Sequence, residues 1–234
     1  MSRKKSRLGE VIERLNAEQP LERHFDWDVP SDCPLQMPTS LKGSFERNLY
    51  LKEHFGPFLL NDPDFEAHFW LIREWGGIKS FKNTQLNRER IMLFRAQLAG
   101  RKMTREIFSV ISSLSKIAAF EDCERFAIYD SRVIAALNWL IFLHEDYPQL
   151  FPQPPGRNSA LLECDPNTLM RLSGKTFGVR NHKTAFFEYC ELLRELSDVA
   201  MGGKKIYHLE MLLFVAAPGW IVEDIKKRTT VTIR

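Results

Sequence analysis

The sequence predicts an all-α protein. Apolar residues recur at three- and four-residue intervals in segment after segment, which is the spacing of one helix face. No series of alternating apolar and polar residues marks a sheet, and no internal repeat is present. Glycine and proline fall between the periodic segments, as at Gly56-Pro57, Gly76-Gly77 and Gly202-Gly203. At 234 residues the chain can bury a core in one domain or in two closely joined lobes. A composition of 44% hydrophobic and 27% charged residues excludes wholesale disorder.

The elements follow in order. Residues 5–18 read as a charged amphipathic helix ending near Gln19-Pro20. Residues 21–39, with Pro30, Pro34, Pro38, Phe25 and Trp27, read as a loop pinned to a surface by its aromatics. A helix over about 40–55 is stopped by Gly56-Pro57. Asp62-Pro63-Asp64 caps the next helix, whose Phe65, Phe69, Leu71 and Ile72 lead to Trp75 before Gly76-Gly77 closes it. A basic connection (Lys79, Lys82, Asn83) precedes a helix over 85–99, and Gly100-Arg101-Lys102 follows.

Residues 103–144 carry the candidate chemistry. Ile107, Val110, Ile111, Leu114, Ile117 and Ala118 share one helical face. Lys116 falls opposite that face among Ser112, Ser113 and Ser115, where it reads as an exposed amine. Glu121 to Arg125 forms a short polar turn and Phe126 to Tyr129 an apolar entry. Asp130-Ser131 starts a helix with Val133, Ile134, Leu137, Leu140 and Ile141 inside. Periodicity and capping alone make Lys116 a surface lysine and Asp130 a helix cap. If both face one cleft, chemistry follows. A deprotonated lysine is a nucleophile, and a carboxylate stabilises an oxocarbenium-like sugar. The pair is then a minimal apparatus for cutting an N-glycosidic bond and holding the sugar as a Schiff base.

Beyond His144, the four prolines between Tyr147 and Gly156 forbid helix and mark a linker. A short helix over 165–172 leads to the basic loop Ser173 to Arg180. Its Gly174-Lys175-Thr176 is not an NTPase phosphate loop, because Leu169 stands where another glycine is needed and no strand precedes it. Lys175, Arg180, His182 and Lys183 remain candidates for phosphate contact. Two amphipathic helices, about 181–200 and 204–217, come next. The tail IKKRTTVTIR reads as an extended strand or a frayed end.

A net charge of +3 permits a nucleic-acid partner without demanding one. Cys33, Cys123, Cys164 and Cys190 lack metal-ligand spacing and read as reduced thiols of a cytoplasmic protein. The six histidines show no HxxxH or HExxH pattern, and no serine sits in GxSxG. No metal and no cofactor is expected. Neither a signal peptide nor a run of about 18 apolar residues is apparent, so no membrane association is expected. The longest apolar stretch, Val133 to Leu143, is interrupted by Asn138 and reads as a buried helix.

The runs Ser113-Leu114-Ser115-Lys116-Ile117-Ala118-Ala119 and Ile128-Tyr129-Asp130-Ser131-Arg132-Val133 resemble the active-site segment of the helix–hairpin–helix DNA glycosylase superfamily. They are similar in particular to its bacterial 8-oxoguanine DNA glycosylase-like group, as are Trp75-Gly76-Gly77-Ile78 and Leu209 to Phe214. The resemblance implies a single all-α domain, 1–234, of two lobes with the cleft between them. The lobes would be roughly 1–102 plus 157–234, and the central helices 103–145. It implies duplex DNA as partner, a base flipped into the cleft, Asp130 stabilising the sugar cation and Lys116 attacking C1′ before β-elimination. The superfamily's hairpin is glycine-rich, whereas Ser112 to Ser115 holds no glycine or proline, and the lysine-to-aspartate interval is shorter. Either Ser113 and Ser115 take over the phosphate contact, or the hairpin has lost it.

Arg132 reads as a phosphate ligand or as a salt-bridge partner of Glu121 or Glu124. Trp139, Trp75 and Phe120 read as core aromatics or as a stacking surface. Several of Lys79, Lys82, Arg101, Lys102, Arg105, Lys175, Arg180 and Lys183 are expected to line the rim of Lys116 as a phosphate track. The missing glycine hairpin also suits a rival reading, a non-catalytic helical DNA- or protein-binding module that keeps the same fold.

Overall fold

A computed structural model describes residues 6–230, so Lys5 of the expected first helix and positions 231–234 of the tail lie outside the described residues. Helix makes up 62% of the chain and strand 2%, so the protein is all-α. Helix α1 (Arg7–Glu18) starts where the Ser6 hydroxyl accepts the Gly9 N–H, and it buries Leu8, Val11, Ile12 and Leu15 on one face. A short α2 (Leu21–His24) and an extended loop lead to α3 (Ser44–His54). Gly56-Pro57 does not stop the chain. It opens a further turn, α4 (Gly56–Leu60), because proline is tolerated in the first turn of a helix.

Asp62 then caps α5 (Glu66–Trp70), accepting the Glu66 and His68 N–H groups at 3.0 and 3.1 Å. The helix continues as a π turn, Leu71–Trp75, and ends at Gly76. After α6 (Gln85–Gly100), the helix expected to carry Ile107 to Ala118 on one face is broken at Val110 into α7 (Arg105–Ser109) and α8 (Ile111–Glu121). Residues 112–115 are therefore helical and form no hairpin turn.

Helix α9 (Ser131–His144) is the buried axis of the molecule, with Val133 to Phe142 all inside. Asn138 can sit there because its amide is satisfied on both sides. Its Nδ2 donates to the Phe151 carbonyl and its Oδ1 accepts the Phe151 N–H, each at 2.8 Å. The proline-rich segment is thereby bound to the core. Tyr129 Oη donates to the Pro152 carbonyl at 2.9 Å, and Gln153 Nε2 to the Ser131 carbonyl at 2.8 Å. Strand β1 (Gln149–Leu150) pairs in parallel with β2 (Gly178–Val179), Gln149 opposite Gly178. Between them lie α10 (Ser159–Cys164) and α11 (Pro166–Leu172).

Helix α12 (Ala185–Ala200) and α13 (Ile206–Ala216) close the core over α9 and α1. The tail departs from expectation. Past α13 a π turn, Ala217–Ile221, takes up Pro218, and α14 (Val222–Arg228) continues because Val222 and Ile225 are buried. Ile206–Arg228 is thus one 23-residue helix, long and apolar enough by length and composition to cross a membrane, which the sequence reading missed. Of its most apolar window, 61% is buried inside the protein. Buried apolar residues from Leu8 to Ile225 form one continuous cluster.

Candidate active site

A cleft of about 720 Å³ opens where α8, the start of α9, α13 and the turn after Trp75 meet. Lys116 and Asp130 both line it. Lys116 does not sit on an exposed polar face. It is the sixth residue of α8 and only 5% exposed, because the turn at Gly76 closes over its stem. A Cβ at Gly76 would lie 2.5 Å from Lys116 Cε and 2.7 Å from the Ile72 carbonyl oxygen, so only glycine leaves the lysine room. Gly77, at φ +67°, then turns the chain away. The Lys116 amine donates to the Ser112 carbonyl at 2.6 Å. Burial pushes it below the usual lysine range, against the pull of Asp130 and Glu210, while Lys52 adds to the lowering.

Asp130 is the N-cap of α9, its Oδ1 accepting the Arg132 N–H at 2.8 Å. The Arg132 guanidinium lies over Phe214 at 4.3 Å and Trp27 at 5.7 Å. It is in no ion pair among the described residues: Glu121 is taken by Arg95 and Glu124 by Lys205. Arg157, exposed along the same cleft, also lacks an acidic partner among the described residues. Even without Lys116, the cations Lys52, Arg132 and Arg157 outnumber Asp130 and Glu210 along the lining, so the cleft suits an anion. Trp27, Trp75, Phe25 and Phe214 supply its aromatic walls. The Trp27 indole donates to the Trp75 carbonyl and the Trp75 indole to Asn48 Oδ1, each at 2.9 Å, which holds both rings in place.

Several expected contacts lie elsewhere. Ser113 lines the cleft, but Ser115 is fully buried and its hydroxyl accepts the Tyr129 N–H at 2.9 Å. It ties α8 to the approach of α9 and reaches no phosphate. Lys175 donates to the Phe142 and Glu145 carbonyls at 2.5 and 2.7 Å, closing the far end of α9. Arg180 pairs with Glu188 at 2.5 Å and lies over Phe151. Lys79 is paired with Glu74 and Arg101 with Glu191. None of the eight cations expected on the rim lines the cleft. Of the aromatics, Trp75 lines it. Phe120 packs between Phe55 and Trp75, and Trp139 is buried with its indole on Asp224, so both are core residues.

Sequence reasoning missed Lys52, Glu210, Arg157, Trp27 and Phe214. Glu210 alone left a visible trace, as one acid inside the apolar run Leu209 to Phe214. Among the described residues no three His, Cys, Asp or Glu side chains converge as metal ligands. No family model, curated protein or solved structure matches the chain.

Proposed function

We propose that this chain is a DNA glycosylase of the two-lobed helix–hairpin–helix type, acting in the cytoplasm on a modified base flipped out of duplex DNA. The observation that carries the reading is the opening of the Lys116 amine and the Asp130 carboxylate onto one cleft. That cleft has aromatic walls for a base and surplus cations for phosphate. The buried amine attacks C1′ as the glycosidic bond breaks and its electrons leave with the base, and Asp130 offsets the charge developing on the sugar. Loss of the amine proton and ring opening leave a C1′ imine. β-elimination of the 3′ phosphate from that imine nicks the strand.

Borohydride delivers hydride to the imine carbon and traps a protein–DNA adduct, so incubation with single-lesion and abasic duplexes tests the reading. Lys116→Gln is the informative variant, because the buried stem makes alanine a cavity mutation. Loss of the adduct in folded Lys116→Gln is the expected result. Undiminished trapping by that variant removes Lys116 from the chemistry. The helical rather than hairpin backbone at residues 112–115 favours a second reading, a DNA-binding module without catalysis. Salt-dependent duplex binding with no trapping on any lesion selects it.

A further inference from the structure

Lys116 shares the cleft with a second buried lysine. Lys52 of α3 is 1% exposed, and its amine lies 2.9 Å from Oε2 of Glu210, itself 5% exposed. The same oxygen accepts the Ile128 N–H at 3.2 Å, so Glu210 is tied to the segment that delivers Asp130. The Lys52 ammonium rests over Phe120 at 5.1 Å and Trp75 at 5.9 Å. The cleft thus holds two buried amines and one buried carboxylate. Lys52 holds it, and Lys116 is left with a neutral carbonyl.

We propose that the Lys52–Glu210 pair keeps Glu210 from serving as counter-ion to Lys116, and so leaves the Lys116 amine free to act as a nucleophile. An ammonium buried with no carboxylate in hydrogen-bond contact loses more hydration than a carbonyl returns, so the uncharged amine is favoured. The charged groups facing Lys116 are Asp130 at the start of α9, Glu210 from α13 and Lys52 from α3. Lys52 and Glu210 act through Lys116 and are positioning residues. The proposal rests on Lys116 being the nucleophile, but its test needs no DNA.

Formaldehyde with cyanoborohydride is the probe. The free amine adds to the carbonyl, water leaves to give an iminium, and hydride reduces this to a methylamine. Only unprotonated lysine adds, so the methylation rate of each lysine against pH, resolved by mass spectrometry, reports its protonation. Lys116 reaches half-maximal rate at lower pH than the exposed lysines. Lys52→Met releases Glu210 to pair with Lys116 and moves that midpoint up, slowing methylation at pH 7 about tenfold for each unit of movement. Glu210→Gln moves the midpoint down, the double variant Lys52→Met/Glu210→Gln returns it towards wild type, and Lys52→Arg keeps the wild-type profile.

Packing damage alone shifts both single variants the same way, so opposite signs are the signature of the pair. Thermal melts establish which variants fold. The double variant and Lys52→Arg avoid an unpaired buried charge, and both must keep the low midpoint even if the single variants unfold. Single variants without shifts of opposite sign, or Lys52→Arg without the low midpoint, overturn the proposal. Abasic-site trapping separates the two readings. The expected midpoints without any DNA adduct remove the glycosylase and leave the pair's role standing, whereas an adduct with a flat series removes this proposal alone.

Discussion

Gly76 shows how far one absent methyl group reaches into the site. Its Cα hydrogen faces the Lys116 stem and the Ile72 carbonyl, and the carbonyl belongs to a π turn and already accepts the Ile78 N–H at 3.1 Å. Gly76→Ala is expected to displace the lysine, slow its methylation at neutral pH at least tenfold and cost about 1–3 kcal/mol by overpacking. A thermal melt and the labelling rate check both, and an unaltered Lys116 rate counts against the close fit. Asp130 has two roles that substitution can separate. Asparagine caps a helix as well as aspartate does, so Asp130→Asn is expected to fold normally while base excision slows about 10²-fold. Asp130→Ala also loses the cap, at about 1 kcal/mol. Single-turnover excision beside chemical denaturation distinguishes the two.

Helix α9 joins the candidate site to a purely structural end. Its 14 residues span about 20 Å at the helical rise, with Asp130 at the positive pole and Lys175 on the carbonyls of the negative one. Lys175 therefore closes the carbonyl end of the helix. Lys175→Ala is expected to lower stability by about 1 kcal/mol and to leave the salt dependence of duplex binding unaltered. A reduced salt slope would restore it as a phosphate contact. The break at Val110 matters similarly. A continuous helix would aim residues 111–121 along α7, whereas the break sets α8 beside the π turn and lets Lys116 meet Gly76.

The distribution of charge over the molecule predicts where phosphate is gripped. Lys79, Arg101 and Arg180 are ion-paired and none of the expected rim cations lines the cleft, whereas Arg132 and Arg157 line it without an acidic partner among the described residues. Replacing either with glutamine is expected to weaken binding evenly across duplex sequences and to lower the salt slope by about one. Fluorescence anisotropy from low to moderate salt measures it, and an unchanged slope in both variants rules out a phosphate grip at this mouth. Stability has its own global signature. Burial lowers the affinity of His68, His144 and His208 for a proton, and the Asp62 carboxylate only partly opposes this at His68. The unfolded chain then binds more protons between the depressed native values and about pH 6.5, so stability is full above that range and falls as pH drops through it. Denaturation midpoints from pH 7.5 to 5 should show this fall, and His68→Asn should flatten it.

The all-α class and most helix positions were legible in the residues, because apolar periodicity and caps such as Asp62 and Asp130 act within a few positions. The lysine and aspartate could also be singled out, since their types and the helix starts near them are local facts. Their surroundings could not. Lys116 lies on the polar side of its own helix and is nevertheless buried, because Gly76, Lys52 and Glu210 arrive from three distant segments and close over it. Ser115 and Lys175 look like phosphate ligands by type, yet the Tyr129 N–H and the carbonyls of α9 claim them. Spacing along a chain tells which residues share a face. Whether that face meets solvent, ligand or another helix depends on what packs across it, and the packing brings together residues that no local pattern relates.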